Sequence, residues 1–303
     1  MNPRAGLKPR VALEALRQGQ SQWQRLELCL TESPGHARAL ARESSSRGDD
    51  LVLAVGGDGT ANEVAAGLMG SPTALGIVPA GSGNGLARTL RIPLSPAVAL
   101  RALASGVVRG MDVGLANGEP FLNVAGAGLD AAVGADFHAH GKRGGRRGVL
   151  TYVRLSLQRA LRFAATRWRL EAAGEVFDGR ALIVAFLNGR QYGGGATVAP
   201  RARLDDGILD IVVFEDAPLG EILLHAPRLF LGTIHRYKRY RHTAAASAVL
   251  TGEGLFEHHR DGEPEGAVAR LEIGLAPRAL RVLVPRATAE DPDGPFSAVG
   301  PPD

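Results

Sequence analysis

The chain has 303 residues, 45% of them hydrophobic and 22% charged, which is typical of a globular protein with room for two domains. One cysteine, Cys29, excludes a disulfide framework within the chain. We find no run of 18 apolar residues and no charged-then-apolar leader, so a soluble cytoplasmic protein is expected. The net charge of +4 weakly favours anionic partners such as nucleotides, nucleic acid or acidic membrane.

The first segment of the chain combines a turn with two short elements. Asn2-Pro3 followed by Gly6 is turn chemistry, and a turn normally follows a strand. Either the fold lacks an expected first strand, or the sequence starts too late to include it. Residues 9–19 are predicted to form a helix, and LELCL at 26–30 a strand that buries Cys29. The strand ends at Thr31, and Pro34-Gly35 turns into a second helix.

Residues 51–69, LVLAVGGDGTANEVAAGLM, combine a buried strand, a glycine loop and a helix that is expected to start near Thr60. This geometry points free backbone N–H groups and the positive end of a helix at an anion. Asp58 would repel a bare phosphate, so the loop suggests a phosphate bridged by a metal ion. The alternative is a tight turn that happens to be rich in glycine.

The same design repeats at residues 74–90, where ALGIV is a predicted strand, PAGSG a second glycine loop and NGLARTL the start of a helix. Another helix is capped at Ser95-Pro96 and runs to Gly106. Strands that alternate with helices predict a parallel sheet. Because strand-to-helix loops lie at one edge of such a sheet, both glycine loops can face one ligand.

From about residue 109 the sequence consists of short strand-like pieces joined by Asn-Gly and Gly, which is typical of hairpins. We therefore expect an α/β protein with a parallel-sheet domain over 1–112 and a mostly antiparallel, β-sandwich-like domain over 113–285. The last strand of the second domain could return to the first. Helical insertions are predicted at about 141–163 and 217–240, and a disordered tail at 286–303.

At GGDGTANEV the chain resembles the diacylglycerol-kinase catalytic domain family, which includes bacterial soluble lipid kinases and, more distantly, sphingosine and ceramide kinases. The Gly81-Ser82-Gly83-Asn84 form of the second glycine loop is closer to sphingosine kinases. The resemblance runs in the family's order from residue 2 to about residue 285. The other matching segments are 2–6, Thr31 before PGHARALA, 78–84, 111–114, 121–126, 188–195, 199–200, 204–210 and 261–263.

The resemblance implies ATP-dependent phosphorylation of a lipid hydroxyl, in an active site in the cleft between a nucleotide-binding domain and a lipid-binding domain. It implies contacts to ATP from the first loop, from Thr31 and from the two glycine loops. Asp58 and Asp112 are the candidates for organising the Mg²⁺ bound to ATP, and Arg88 for reaching a phosphate. For Asp112 and Arg88 the alternatives are a turn aspartate and a solvated helix arginine. The predicted nucleotide-binding residues are Asn2, Pro3, Arg4, Ala5, Gly6, Thr31, Gly57, Asp58, Gly59, Thr60, Ala61, Asn62, Glu63, Ser82, Arg88 and Asp112.

Glu263 is the candidate general base, because an attacking alcohol must lose its proton to a group within hydrogen-bond reach. Asp261 could orient Glu263 or share its task, whereas Asp-Gly alone would indicate only a hairpin turn. By resemblance, Asp206 and the backbone carbonyls of Arg203 and Ile208 form a structural Mg²⁺ site. An Asp-Gly turn is the alternative there.

Two basic segments with apolar spacing, 142–163 and 228–241, could lie on an anionic membrane surface, where the lipid substrate would be reached. The alternative is a helix packed on the core with solvated arginines outside. We expect a cytoplasmic protein in transient contact with the membrane, without a nucleic-acid partner, and we leave a homodimer open.

Diacylglycerol is the default substrate, and sphingosine, ceramide or another lipid alcohol is the alternative. NAD kinase is a rival on a related fold, but it does not explain the motifs at 206–210 and 261–263. A non-catalytic nucleotide- or lipid-binding regulator is the rival of another class.

Overall fold

The computed structural model describes residues 1–3, 9–19, 23–142, 149–193 and 195–297. The chain forms two compact units. The first comprises Met1–Val113, Arg203–Asp206 and Pro277–Asp303, and the second comprises Gly114–Ala202 and Gly207–Ala276.

The first unit alternates strands and helices around a short parallel sheet. Its β1 and β2 pair in parallel from Leu51↔Ala74 to Gly56↔Pro79, and β2 pairs in parallel with the end of β13 at Leu75↔Val282. Both glycine loops therefore follow neighbouring parallel strands. The elements are α1 (Pro9–Gly19), α2 (His36–Ser46), β1 (Leu51–Gly56), α3 (Asp58–Leu68), β2 (Ala74–Pro79), α4 (Gly85–Thr89), α5 (Pro96–Ala104) and β3 (Val107–Ala116), which enters the second unit at Gly114.

The second unit is built mainly from antiparallel strands. The elements that follow β3 are β4 (Glu119–Phe121), β5 (Val124–Gly128), α6 (Leu129–Lys142), α7 (Val149–Ala160), β6 (Thr166–Ala172), β7 (Glu175–Leu187), β8 (Gln191–Gly193), β9 (Ala196–Thr197), β10 (Leu209–Glu215), α8 (Leu219–His225), α9 (Pro227–Phe230), a 3₁₀ turn (Ile234–Arg236), β11 (Tyr240–Ala245), β12 (Ala248–Arg260), β13 (Glu263–Val284) and α10 (Arg286–Ala289). The long strand β13 and the final helix carry the chain back into the first unit.

The long strands β7 and β12 change partners along their length, which folds the antiparallel ladder around one apolar core. The first half of β7 pairs with β6 and its second half with β5 and β10, while β12 pairs with β6 and then with β5. Trp168 is buried in this core, donates its indole N–H to Ala181 O at 3.1 Å and meets the Phe256 ring edge-on at 4.9 Å. The predicted α/β chain with a β-rich, sandwich-like second part is confirmed.

Three expectations for the elements are corrected by the structure. Residues 26–30 do not form a strand: Cys29 O and the neighbouring Thr31 N–H bond to Met1, and Cys29 is half-buried. Helix α3 begins at Asp58, with Gly57 as its N-cap, and not near Thr60. Helix α6 begins at Leu129, within the segment read as hairpins.

The disordered tail predicted over 286–303 is wrong for residues 286–297. The Phe296 ring is buried, 1% exposed, and the Arg109 guanidinium lies 5.0 Å from its centre. Asp205 accepts the Ser297 N–H at 2.6 Å, and Leu204 donates its N–H to Pro295 O at 2.8 Å. An aromatic anchor thus orders a segment whose Pro and Gly content indicated disorder. Residues 298–303 lie outside the described residues.

Candidate functional site

The two glycine loops of the first unit touch each other through their backbones. A Cβ added to Gly81 would lie 2.5 Å from Gly57 Cα, a distance that real Cβ contacts do not reach. Ala80 also donates its N–H to Gly56 O at 2.8 Å. The loops that the sequence placed at one sheet edge therefore form one continuous backbone surface, next to the N-terminus of α3.

Asn84 sets the shape of the second loop and was not among the predicted site residues. Its buried side chain accepts the Gly81 N–H at 3.0 Å and donates to Gly81 O at 2.9 Å. Its backbone is left-handed, with φ 52° and ψ 45°, a conformation that asparagine tolerates better than most residues. An asparagine directly after Gly-Ser-Gly was the available signal.

Asp58 joins the two loops. One carboxylate oxygen accepts the Leu86 N–H of α4 at 3.3 Å, and the other lies 2.8 Å from where a Cβ on Gly83 would be. The side chain of the first loop thus lies against the second loop. A Mg²⁺ ion carried by ATP needs one or two carboxylates besides phosphate oxygens, so this carboxylate has suitable donor chemistry.

The N-terminal residues are bonded to the strand and helix that flank the first glycine loop, through Asn2. Its backbone N–H donates to Val55 O at 3.0 Å, and its side-chain amide donates to the Thr60 hydroxyl at 3.3 Å. Thr31 is held beside them, because its N–H donates to Met1 O at 3.0 Å. Pro3 is exposed in a turn, and the predicted residues Arg4, Ala5 and Gly6 lie outside the described residues.

Glu63 has a different environment from the one predicted. Its two carboxylate oxygens accept the N–H groups of Gly35 at 2.9 Å and Ala37 at 3.1 Å, at the N-terminus of α2. The side chain therefore caps a neighbouring helix, and this contact does not support a place in the phosphate cradle.

The remaining residues that were predicted to bind the nucleotide differ in how exposed they are. Ser82 is exposed at the tip of the second loop, and Arg88 donates from Nε to Gly83 O at 3.1 Å, so its guanidinium lies at the loop. In α3, Gly59 is exposed, Asn62 is half-buried and Ala61 is buried.

Asp112 is neither a turn residue nor exposed. It lies inside β3, is 0% exposed, and accepts the Arg278 N–H at 2.7 Å. Its own N–H donates to Leu204 O at 2.6 Å. These bonds tie β3 to β13 and to the segment at 203–206, and they do not support the metal-organising role predicted for Asp112.

In the second unit, Asp261-Gly262-Glu263 forms the turn between β12 and β13. Asp261 and Gly262 are left-handed, with φ 49° and 85°. The Asp261 carboxylate accepts three backbone N–H groups, from Leu122 and Asn123 at 2.8 Å each and from Val124 at 3.0 Å. Burial raises the pKa of Asp261, and the three N–H donors and His259 oppose that rise. Asp261 is thus engaged in shaping the turn.

Glu263 is the accessible carboxylate of this turn. Its side chain is 53% exposed, and its Oε2 lies 2.9 Å from Nδ1 of His138 on α6. The two acidic residues of the turn therefore differ in environment: the carboxylate of Asp261 is occupied by backbone N–H groups, whereas that of Glu263 is half exposed. The contact with His138 has no sequence signal, since 125 residues separate the two positions in the chain.

The predicted structural Mg²⁺ ligands occupy an exposed loop. Asp206 and Ile208 are exposed, and the Arg203 guanidinium donates to the carbonyls of Phe296 and, at 3.1 Å, Pro292. The neighbouring Asp205 is buried and pairs with Arg109 at 2.9 Å. Of the two adjacent aspartates, Asp205 therefore stabilises the fold. Over the part of the chain that the structure describes, no three His, Cys, Asp or Glu residues cluster in a way suited to a metal ion. No helix of the described residues is long and apolar enough to cross a membrane.

The chain thus combines an α/β unit that carries two glycine loops with an antiparallel β unit that carries an exposed carboxylate in a turn. This combination is the one to compare with known families. Family models match both parts: a diacylglycerol kinase catalytic domain over residues 1–116, and a YegS C-terminal NAD kinase beta sandwich-like domain over residues 123–284. The chain belongs to this diacylglycerol-kinase-like family of lipid kinases, as the resemblance predicted.

Individual relatives agree over most of the chain. A "Probable lipid kinase YegS-like" of Pseudomonas aeruginosa strain UCBPP-PA14 is 34% identical over 265 residues, which are 86% of this chain and 85% of the relative. A "Diacylglycerol kinase" of Bacillus subtilis strain 168 is 29% identical over 266 residues, 87% of each chain. The crystal structure of a putative diacylglycerol kinase from Bacillus anthracis strain Sterne superposes with a TM-score of 0.77 at 26% identity, over 93% of this chain and 95% of that one.

Proposed function

We propose that the protein transfers the γ-phosphate of ATP to the hydroxyl of a membrane lipid, with diacylglycerol as the default substrate and phosphatidic acid as the product. The observation that carries the proposal is the pair of touching glycine loops at the N-terminus of α3, in a chain that belongs to a lipid kinase family. Of the relatives, the Bacillus subtilis protein is named a diacylglycerol kinase.

The first unit supplies phosphate binding. Free N–H groups at a helix N-terminus and in glycine loops bind phosphate without needing a side chain. Asp58 and the guanidinium of Arg88 lie at the same loops, so a carboxylate and a cation are both available there. Mg²⁺ bound with ATP would neutralise charge on the phosphates, and Asp58 is the residue that we assign to it.

The second unit supplies the base. The lipid hydroxyl oxygen forms a bond to the γ-phosphorus while the bond from that phosphorus to the oxygen bridging the β-phosphate breaks, and ADP leaves. Glu263 accepts the hydroxyl proton, because its carboxylate is half exposed and lies 2.9 Å from His138, which orients it. Asp261 keeps the turn in shape through its three backbone bonds.

The test is transfer of labelled phosphate from ATP to a panel of diacylglycerol, sphingosine, ceramide and NAD. Labelled phosphatidic acid supports the proposal, and labelled sphingosine or ceramide phosphate moves the substrate to the alternative class. Labelled NADP, or ATP binding without transfer to any lipid, contradicts it. Glu263→Gln is the matched variant: as an isostere without a basic oxygen pair, it should bind ATP normally and transfer about 10²-fold more slowly or worse.

We also propose that the protein docks transiently on the anionic cytoplasmic face of a membrane through α8 and α9. These two short helices bury none of their residues, and four large apolar side chains stand exposed on and just after them: Leu223 (50%), Leu224 (73%), Phe230 (61%) and Leu231 (72%). Exposed Arg236 and Lys238 follow at and just beyond the 3₁₀ turn, and Lys238 pairs with Glu221 of α8 at 3.2 Å. An apolar tip bordered by cations suits an anionic bilayer surface.

The other basic segment contributes less to this proposal. Leu157 in α7 and Leu161 just after it are exposed, but Arg159 pairs with Asp136 at 2.8 Å. Arg143, Arg146 and Arg147, which the sequence placed near the membrane, lie outside the described residues.

A further inference from the structure

One face of α6 is directed at the turn that carries Glu263. Asp130, Gly134 and His138 are spaced by four residues and so lie in a row on the helix. His138 contacts Glu263 directly, at 2.9 Å. A Cβ on Gly134 would lie 3.4 Å from Gly262 O, so the helix backbone passes close to the turn. Asp130 reaches the same turn through His259.

Asp130 and His259 are buried beside the turn and form a polar network with half-buried Tyr192. His259 Nε2 lies 2.9 Å from Asp130 Oδ2, and each of the two side chains is 3% exposed. Tyr192 donates its hydroxyl to the same oxygen. On the other side of the ring, His259 Nδ1 accepts the Gly262 N–H at 3.3 Å. An accepting Nδ1 places the imidazole proton on Nε2, which therefore donates to Asp130.

The network is closely packed, and one of its carboxylate oxygens has no partner among the described residues. A Cβ on Gly126 of β5 would lie 2.2 Å from Asp130 Oδ2 and 3.0 Å from His259 Nε2, so a larger residue would displace the carboxylate. Within the described residues, Asp130 Oδ1 is buried without a hydrogen-bond partner. A buried carboxylate with an unpaired oxygen opposes folding. Stability alone therefore does not account for the network.

We propose that α6 positions the catalytic turn, with Asp130 acting through His259 on Gly262 and with His138 acting directly on Glu263. The inference rests on the proposed role of Glu263 in lipid phosphorylation. His259 holds the amide of the left-handed Gly262, while the bonds of Asp261 to residues 122–124 hold the other side of the turn. A carboxylate held in this way needs little reorganisation when the hydroxyl arrives.

The kinetic test compares His138→Ala with His140→Ala, which lies on the same helix outside the Asp130–Gly134–His138 row. His138→Ala should lower kcat about tenfold and leave the KM for ATP unchanged, whereas His140→Ala should leave both unchanged; misplaced catalytic groups cost up to about 10²-fold. In a Glu263→Gln background, His138→Ala should cause no further loss, because its effect passes through Glu263. An additive loss in that background would overturn the proposal.

A second measurement does not depend on activity. Hydrogen exchange in the peptide covering residues 259–266 should accelerate at least tenfold in His259→Gln and remain as in the wild type in Glu263→Gln, with the rest of the second unit unchanged. If His259→Gln does not fold, Tyr192→Phe, which removes a single hydroxyl, should accelerate exchange in the same peptide. Unchanged exchange overturns the positioning role even if lipid transfer is observed, and accelerated exchange supports it even if no lipid is phosphorylated.

Discussion

The two acidic residues of the β12–β13 turn have different physical roles, although the sequence presents them as one motif. Asp261 accepts three backbone N–H groups from residues 122–124, and Glu263 is half exposed. We expect Asp261→Ala to lower the free energy of unfolding by about 2–4 kcal/mol, because three amides lose their acceptor. Urea unfolding measures the change.

Glu263→Gln is the control for that variant. It should stay within about 0.5 kcal/mol of the wild type, since it removes no bond that shapes the fold, while lipid transfer falls. Equal loss of stability in the two variants would show that the division of roles is wrong.

The contact between the glycine loops predicts opposite effects for two glycines. Gly81→Ala would push a methyl group to 2.5 Å from Gly57 Cα, so the loops must separate at a cost of about 1–3 kcal/mol. Gly59→Ala meets nothing within 4 Å in the first turn of α3 and should stabilise by up to about 1 kcal/mol. Thermal unfolding measures both.

Gly59→Ala also tests where the phosphate binds. If ATP approaches the N-terminus of α3, Gly59→Ala should weaken ATP binding although it stabilises the fold. Unchanged ATP affinity in Gly59→Ala, measured by calorimetry, would remove Gly59 from the phosphate-binding residues.

At the level of elements, α2 and α3 are joined by a cap that crosses between helices. The N-cap of α2 is Gly35, which has no side chain to cap with, and Glu63 of α3 takes that role with both oxygens. Glu63→Ala should therefore cost about 1–2 kcal/mol and accelerate hydrogen exchange in residues 35–41.

Glu43→Ala is the matched control, since Glu43 lies on the exposed face of α2 and its ion pair with Arg47 contributes little. ATP affinity distinguishes a Glu63 that caps α2 from a Glu63 that binds phosphate. A cap leaves it near the wild-type value, whereas a strong loss of ATP binding with unchanged stability would restore Glu63 to the phosphate cradle.

Elements with local signals were predictable, and those fixed by distant partners were not. The apolar runs of β1 and β2 and the Asn117-Gly118 turn between β3 and β4 follow from the sequence alone. The expected strand at 26–30 failed because a strand needs a partner ladder, and among the described residues this segment shows backbone bonds to Met1 and no ladder. Helix α6 was missed because its many alanines and glycines weaken the helical spacing of apolar residues. The side of α6 that carries Asp130, Gly134 and His138 faces a turn some 130 residues away in the sequence.

The same limit applied to the site. The motifs drew attention to Asp58, Asn2 and Glu263, each of which lies in or beside a glycine or turn pattern, and their roles toward ATP and the lipid hydroxyl stay predictions. The partners of Glu63 and Asp112 come from residues 26 or more positions away, and only the folded chain shows that these carboxylates serve the fold.

At the scale of the whole molecule, we expect the net charge of +4 and the exposed apolar side chains of α8 and α9 to act together in the proposed membrane binding. Cosedimentation with anionic vesicles should fall as salt is raised, because counterions screen the charge attraction beyond about 10 Å at 0.1 M. Replacing Leu224 and Leu231 together by serine should weaken binding at least about tenfold, since each leucine gains about 1.5–3 kcal/mol on burial.

The thermal midpoint of that double variant should not fall, because neither α8 nor α9 buries a residue in the fold. Leu255→Ser is the control: Leu255 is 75% exposed but lies on β12, away in sequence from the two helices. Weaker binding by the double variant alone identifies α8 and α9 as the contact. If Leu255→Ser weakens vesicle binding equally, or if binding is unchanged by both salt and the double substitution, the protein reaches its lipid by another surface.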